Sequence, residues 1–174
     1  RTAHDRGAKI RGHLISKLGI KVALEAGIDV VDHGDGMDDE CIDLFLNQGT
    51  FLAPSLYFPS RLVGAYLGGE APGLASMIPE LEHTLENHPA RVKRANEAGV
   101  PIVVGDDFGF GSLLPHGDYA KELAVYPELC GVSNLEVIRW ATANGAALQG
   151  RLHELGTVEE GKLADLLVVD GDPA

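Results

Sequence analysis

The chain repeats one short layout four times: a helix end, a glycine, an apolar stretch of strand length, then a polar residue. The copies are Asp5-Arg6-Gly7-Ala8-Lys9-Ile10-Arg11-Gly12-His13, Glu25-Ala26-Gly27-Ile28-Asp29-Val30-Val31-Asp32-His33, Asn47-Gln48-Gly49-Thr50-Phe51-Leu52-Ala53-Pro54-Ser55 and Glu97-Ala98-Gly99-Val100-Pro101-Ile102-Val103-Val104-Gly105-Asp106-Asp107. In the first three the polar residue falls six positions after the glycine; in the fourth, carboxylates follow at seven and eight. A glycine there supplies the left-handed residue that closes a helix, a conformation that costs a side chain with a Cβ about 1 kcal/mol or more. Gly7, Gly27, Gly49 and Gly99 are therefore expected helix stops. The Val-, Ile- and Leu-rich segments behind them suit parallel strands covered on both faces. Helical patterns over Ser16 to Ala26, Asp38 to Gln48 and Leu74 to Ala98, the last interrupted near Pro89, join them into βαβ units of an α/β fold.

Outside the repeat, Pro54 to Gly73 holds three prolines and four glycines and reads as a long loop, with Tyr57, Phe58 and Tyr66 available to line a pocket. Phe108 to Gly117 reads as a glycine-rich loop and Asp118 to Glu128 as a helix. Ser133-Asn134-Leu135-Glu136 has the spacing of a capping box, opening a helix that turns Val137, Ile138, Trp140 and Ala141 inward. Gly156 to Asp170 reads as a turn and a strand outside the repeat. The chain opens on Arg1 in what reads as a helix end and stops just after that strand, so both ends are expected to be cut.

Charge narrows the function. The net charge is −12, from 14 basic and 26 acidic residues, and phosphate contacts need clustered Lys and Arg, so nucleic acid and anionic membrane are poor partners. No apolar run approaches a membrane span and the opening residues do not read as a signal peptide, which makes a cytoplasmic location the expectation. Cys41 and Cys130 have no metal-binding spacing and carry no functional weight.

In parallel α/β folds the ligand site lies at the carboxyl ends of the strands. The repeat places His13, His33, Ser55 and Asp106-Asp107 at those ends. Imidazole and carboxylate are ordinary ligands of zinc and similar ions, and two His with an Asp from three strands would nearly fill a tetrahedral shell. One histidine near a strand end is usually just a hydrogen-bonded residue; equivalent positions in a repeat point to a shared polar site. His4, His83, His88 and His153 fall away from strand ends and read as solvated side chains. His116, just past the fourth strand, reads either as a substrate contact or as a cap on the following helix. Asp38-Asp39-Glu40 opens a helix, where negative charge offsets the dipole.

The runs Val30-Val31-Asp32-His33-Gly34, Val103-Val104-Gly105-Asp106-Asp107-Phe108-Gly109 and Ala141-Thr142-Ala143-Asn144-Gly145-Ala146-Ala147, and above all the tail from Gly156 to Pro173, resemble the carboxyl-terminal half of a metal-dependent amidohydrolase. The branch they are most similar to is that of imidazolonepropionase-like and Xaa-Pro dipeptidase-like enzymes. The resemblance implies strands five to eight of a (β/α)8 TIM-like barrel over 1-153 and, over 154-174, part of a small β-sandwich. It implies that His13 and His33 are metal ligands and that Asp107 is a ligand and the proton-transferring carboxylate, with Asp106 standing where many relatives have threonine. His116, in a loop that faces the substrate in relatives, is the implied substrate contact, and Tyr57, from the pocket-lining aromatics, is the second candidate contact.

The implied cofactor is a divalent metal, zinc as the first choice, with one or two ions in the complete enzyme. The implied activity is hydrolysis of amide, peptide-like or cyclic amide C–N bonds by a metal-activated water. The family's His-x-His pair and the bridging lysine or glutamate of the fourth strand have no counterpart here, so this chain carries part of the site and is expected to bind metal weakly and to be inactive alone. After His13 the chain continues Leu14-Ile15-Ser16, where relatives often have small or aromatic residues and a glycine. Expected partners are a small-molecule or dipeptide-like substrate, the amino-terminal half of the barrel and a second copy in a homo-oligomer. The competing reading is a non-catalytic half-barrel that assembles or binds, because an open sheet leaves edges and an apolar face uncovered. A doubly wound nucleotide-binding domain lacks its Gly-x-Gly-x-x-Gly.

Overall fold

The computed structural model describes residues 2–173. Glycine ends the helices where the repeat puts it: Gly7, Gly27, Gly49 and Gly99 have φ of 70, 82, 65 and 94°, all left-handed. Three parallel strands follow the first three stops in the order β1 (Arg11–Leu14), β2 (Val30–His33), β3 (Phe51–Ala53). Register pairs Arg11 with Val30 and Val30 with Phe51. The fourth repeat reaches the sheet by a single parallel bridge: the Leu52 N–H donates to the Pro101 carbonyl at 3.0 Å and the Val103 N–H to the Leu52 carbonyl at 2.9 Å, around Ile102. Pro101 has no N–H with which to extend that ladder.

Strand alternation divides the sheet between two environments. Val31, Leu52 and Ile102 are buried under α1 (Lys17–Glu25), α2 (Asp39–Gln48), α4 (Ile78–Ala98) and α5 (Ala120–Cys130), in one core with Ile20, Leu24, Phe45, Val92 and Tyr126. Val30, Ala53 and Val103 face the other way and meet Leu148. That second face borders an open cleft with Ile10, Gly105 and Trp140 on its walls.

Local signals decide the helix starts. The Asp38 carboxylate accepts the Cys41 N–H at 3.2 Å at the start of α2, and Ser16 caps α1. The capping box forms in full: Ser133 Oγ accepts the Glu136 N–H at 3.2 Å and Glu136 Oε2 accepts the Ser133 N–H at 2.8 Å. It opens α6 (Asn134–Arg139), which runs through a π-helical turn at Trp140–Asn144 into α7 (Gly145–Leu148). In that turn the Asn144 amide donates to the Ile102 carbonyl at 2.7 Å, tying the helix to the fourth repeat.

Three expectations are corrected. Pro54 to Gly73 is no loop throughout, because α3 (Tyr57–Leu67) occupies its centre; Pro59 sits in the first turn, where a missing N–H costs nothing. α4 is unbroken at Pro89, since Leu81, His88, Pro89, Val92 and Ala95 bury one face whose packing outweighs a lost backbone bond. The tail forms no strand among the described residues: Leu167 and Val168 are 93% and 98% exposed, and a strand needs a ladder partner, which no described segment supplies. No helix among the described residues is long and apolar enough to cross a membrane.

Candidate active site

Successive strand ends bring the polar residues of the repeat to one place. A cavity of about 230 Å³ is lined by His13 from β1, His33 from β2, Ser55 just past β3 and Asp107 at the end of the fourth repeat. The His13 and His33 rings meet edge to face with centroids 4.3 Å apart, and His33 Nε2 lies 4.0 Å from Asp107 Oδ2. Phe58, Met77 and Leu81 form apolar walls, and Asp35, Glu80 and Thr84 complete the rim.

His33 is held under strain. Its φ of 70° makes it the one non-glycine residue with positive φ among those described, at a cost of the order of 1 kcal/mol or more. Gly34 continues the left-handed turn at 77°, and a Cβ there would fall 2.7 Å from Leu52 Cδ1. Asp35 pins the turn to α4: its carboxylate accepts the Thr84 hydroxyl at 2.8 Å, and its backbone carbonyl accepts the Arg91 guanidinium.

The two neighbouring aspartates are not equivalent. Asp106 accepts the Ser55 hydroxyl at 2.5 Å and the Asp107 N–H at 2.8 Å on Oδ1, and the Phe58 N–H at 2.9 Å on Oδ2. Burial pushes its pKa above the ordinary carboxylate value despite those donors. Asp107 is half exposed and faces the cavity.

Tyr57 and His116 are not among the cavity-lining residues. Tyr57 stacks on Phe108 at 5.7 Å, Phe108 meets Tyr119 edge to face at 4.8 Å, and His116 Nδ1 lies 3.2 Å from the Tyr119 hydroxyl. This aromatic group reaches the cavity wall through the apolar cluster of Leu62 and Leu114, on which Tyr57, Phe108 and the cavity-lining Phe58 all pack.

His88 corrects its reading as a solvated side chain. It is fully buried, neither ring nitrogen has a hydrogen-bond partner, and Nε2 lies 3.9 Å from Asp35 Oδ1. Burial pushes its pKa below 6.5. The signal was present: His88 follows Leu81 by seven positions and precedes Val92 and Ala95 on the apolar face of α4. Asp35, Glu80 and Thr84 were also missed, since they lie in a turn and on a helix flank rather than in the repeat.

The donor types at the strand ends, two imidazoles and a carboxylate, suit a zinc-like ion. Among the described residues no group of three His, Cys, Asp or Glu side chains is arranged to hold one, so the set matches in kind and is incomplete in geometry.

The amidohydrolase family profile matches residues 1–174, and the chain belongs to that family, whose members are hydrolases. An uncharacterized protein of Mycobacterium tuberculosis is 34% identical over 175 residues, covering 99% of this chain and 44% of its own length. An imidazolonepropionase of Pyrobaculum arsenaticum is 45% identical over 71 residues, 41% of this chain and 17% of its own. The crystal structure of a Xaa-Pro dipeptidase with bound methionine superposes with a TM-score of 0.74 at 32% identity, over 98% of this chain and 41% of the other. The family resemblance in the motifs is thus met. The chain spans less than half the length of these relatives.

Proposed function

We propose that this chain supplies part of the site of a metal-dependent hydrolase of C–N bonds, with β1 to β3 and the Ile102 segment as strands five to eight of a (β/α)8 barrel and 154-174 as part of a β-sandwich. The observation that carries the reading is the convergence of His13, His33 and Asp107, from separate strand ends, on one cavity. The similarity to an imidazolonepropionase and to a Xaa-Pro dipeptidase supports a cyclic amide or dipeptide-like substrate, and a cytoplasmic enzyme fits the same reading.

His13, His33 and Asp107 would hold a divalent ion, zinc first, together with ligands from the rest of the barrel. Such an ion lowers the pKa of a bound water toward neutrality and polarises a carbonyl oxygen. The chain's own residues have distinct tasks. His13 and His33 line the cavity, with His33 Nε2 on the side of Asp107, and the His33–Gly34 turn sets the direction of the second ring. Asp107, free of the bonds that occupy Asp106, takes the proton from the attacking water and returns it to the leaving nitrogen. Asp106 and Ser55 fix the strand end that carries Asp107, and Phe58 and Met77 give the substrate an apolar wall. Tyr57 and His116 would meet the substrate only at its outer end, through the aromatic cluster.

In the complete protein, chelation should abolish hydrolysis of dipeptides or cyclic amides and zinc should restore it; chelator-insensitive turnover would overturn the reading. The 174-residue chain alone should bind metal weakly and show no useful turnover, and robust hydrolysis by it would refute the partial site. The open cleft beside Val30, Ala53 and Val103 favours one further reading, a half-barrel that pairs with its amino-terminal half or a second copy. Light scattering at several concentrations tests that, and a strict monomer at high concentration counts against it.

A further inference from the structure

Glu122 is buried one turn before Tyr126 on α5, and its surroundings pose a problem of proton counting. Its Oε1 accepts the Gly105 N–H at 2.7 Å and lies 2.7 Å from the Tyr126 phenol oxygen, which lies 2.7 Å from the Pro54 carbonyl oxygen. A phenol carries one proton, and a backbone carbonyl carries none. If Glu122 is ionised, that proton faces two acceptors, and one buried oxygen pair at hydrogen-bonding distance is left with nothing between. A proton on Glu122 resolves both contacts: the acid donates to the phenol oxygen and the phenol donates to Pro54.

We propose that Glu122 stays a neutral carboxylic acid in the folded chain through the mildly acidic range in which an ordinary glutamate is ionised, and that the Glu122–Tyr126 relay positions the strand ends carrying Ser55, Asp106 and Asp107. Pro54 immediately precedes Ser55, and Gly105 immediately precedes Asp106. The relay therefore grips both sides of the Ser55–Asp106 bond, whose carboxylate also receives the Asp107 N–H. One buried acid thereby joins α5 to two strand ends.

Burial acts in the same direction. It pushes the Glu122 pKa up from 4.5 to about 7, against the Tyr126 and Gly105 hydrogen bonds and with help from the negative charge of Asp106. The titratable groups that act on Glu122 are Asp106 across the strand end and Tyr126 on its own helix, and neither is a cation. The protonation state stands on this geometry alone; the placing of a reactive Asp107 rests on the function proposed above.

Carboxyl ¹³C NMR of the 174-residue chain, with Glu122 assigned through its own backbone, reads the proton directly. Glu122 should titrate with a midpoint near 7, far above the ordinary 4.5, and the amide shifts of Gly105, Asp106 and Asp107 should contain a step at the same midpoint. In Glu122→Gln, which keeps a donor and an acceptor without the charge, that step should vanish from the three amides. An ordinary midpoint overturns the neutral acid. Amides that do not follow Glu122 overturn the positioning role. The wild-type titration decides both points even if the variant fails to fold. Neither readout depends on hydrolysis, so failure of the proposed activity is a separate result.

Discussion

The Ser55 hydroxyl donates to Asp106 Oδ1 at 2.5 Å, locking the end of β3 to the end of the fourth repeat. The bond assigns different work to adjacent carboxylates: Asp106 holds the backbone and Asp107 faces the cavity.

Substitution should separate the two. Asp107→Asn in the complete protein should lower turnover about 10²- to 10⁴-fold, the usual worth of a proton-transferring group, with little change in unfolding midpoint. Asp106→Asn turns one acceptor oxygen into an NH2 donor, leaving at least one of its three donors without an acceptor, and should destabilise the fold by about 1–3 kcal/mol in urea unfolding. Equal loss of stability in both variants would contradict this division of roles.

At His33, backbone strain and side-chain chemistry are separable. His33→Gly and His33→Ala both lose the ring, but glycine tolerates φ of 70° and alanine does not. The glycine variant should be more stable than the alanine variant by about 1 kcal/mol, while both lose hydrolysis in the complete protein.

His88 should make stability fall on mild acidification. Its folded pKa lies below the 6.5 of the unfolded chain because burial disfavours the imidazolium. As pH falls through 6.5 the unfolded state takes up the proton first, so the His88 contribution is intact above that value and lost progressively toward the lower folded pKa. Glu122, whose pKa burial raises to about 7, contributes a slope of opposite sign over the same range, so the His88 slope is read as the difference in unfolding free energy between wild type and His88→Gln over a pH series. A difference that does not vary with pH would place the titrating group elsewhere.

The capping box offers a control far from the cavity. Ser133→Ala leaves the Glu136 N–H without its side-chain acceptor and should cost about 1 kcal/mol. Metal affinity and turnover in the complete protein should not move.

The helix stops, the βαβ order, the capping box and the family were legible in the sequence because each depends on residues close together in the chain. A left-handed glycine, a Ser three positions before a Glu, or an alternating apolar run carries its meaning locally. The proline-rich stretch was misread because Pro59 falls in the first turn of α3, where it is harmless, and Pro89 because a buried helix face outweighs one missing bond. The tail was misread because its apolar residues suit a strand, while a strand forms only where another lies alongside.

At the cavity, the sequence by itself determined which residues stand at the strand ends: His13, His33, Ser55 and the Asp106-Asp107 pair. It did not distinguish the two aspartates by spacing, nor mark Asp35 or Glu122, and the apolar spacing around His88 pointed to burial without showing what lies beside it. Only the tertiary structure decided those, because burial and hydrogen bonding are set by neighbours from distant parts of the chain. Ser55 and Phe58 draw Asp106 inward, Asp35 stands 3.9 Å from the buried His88, and Pro54, Gly105 and Tyr126 surround Glu122.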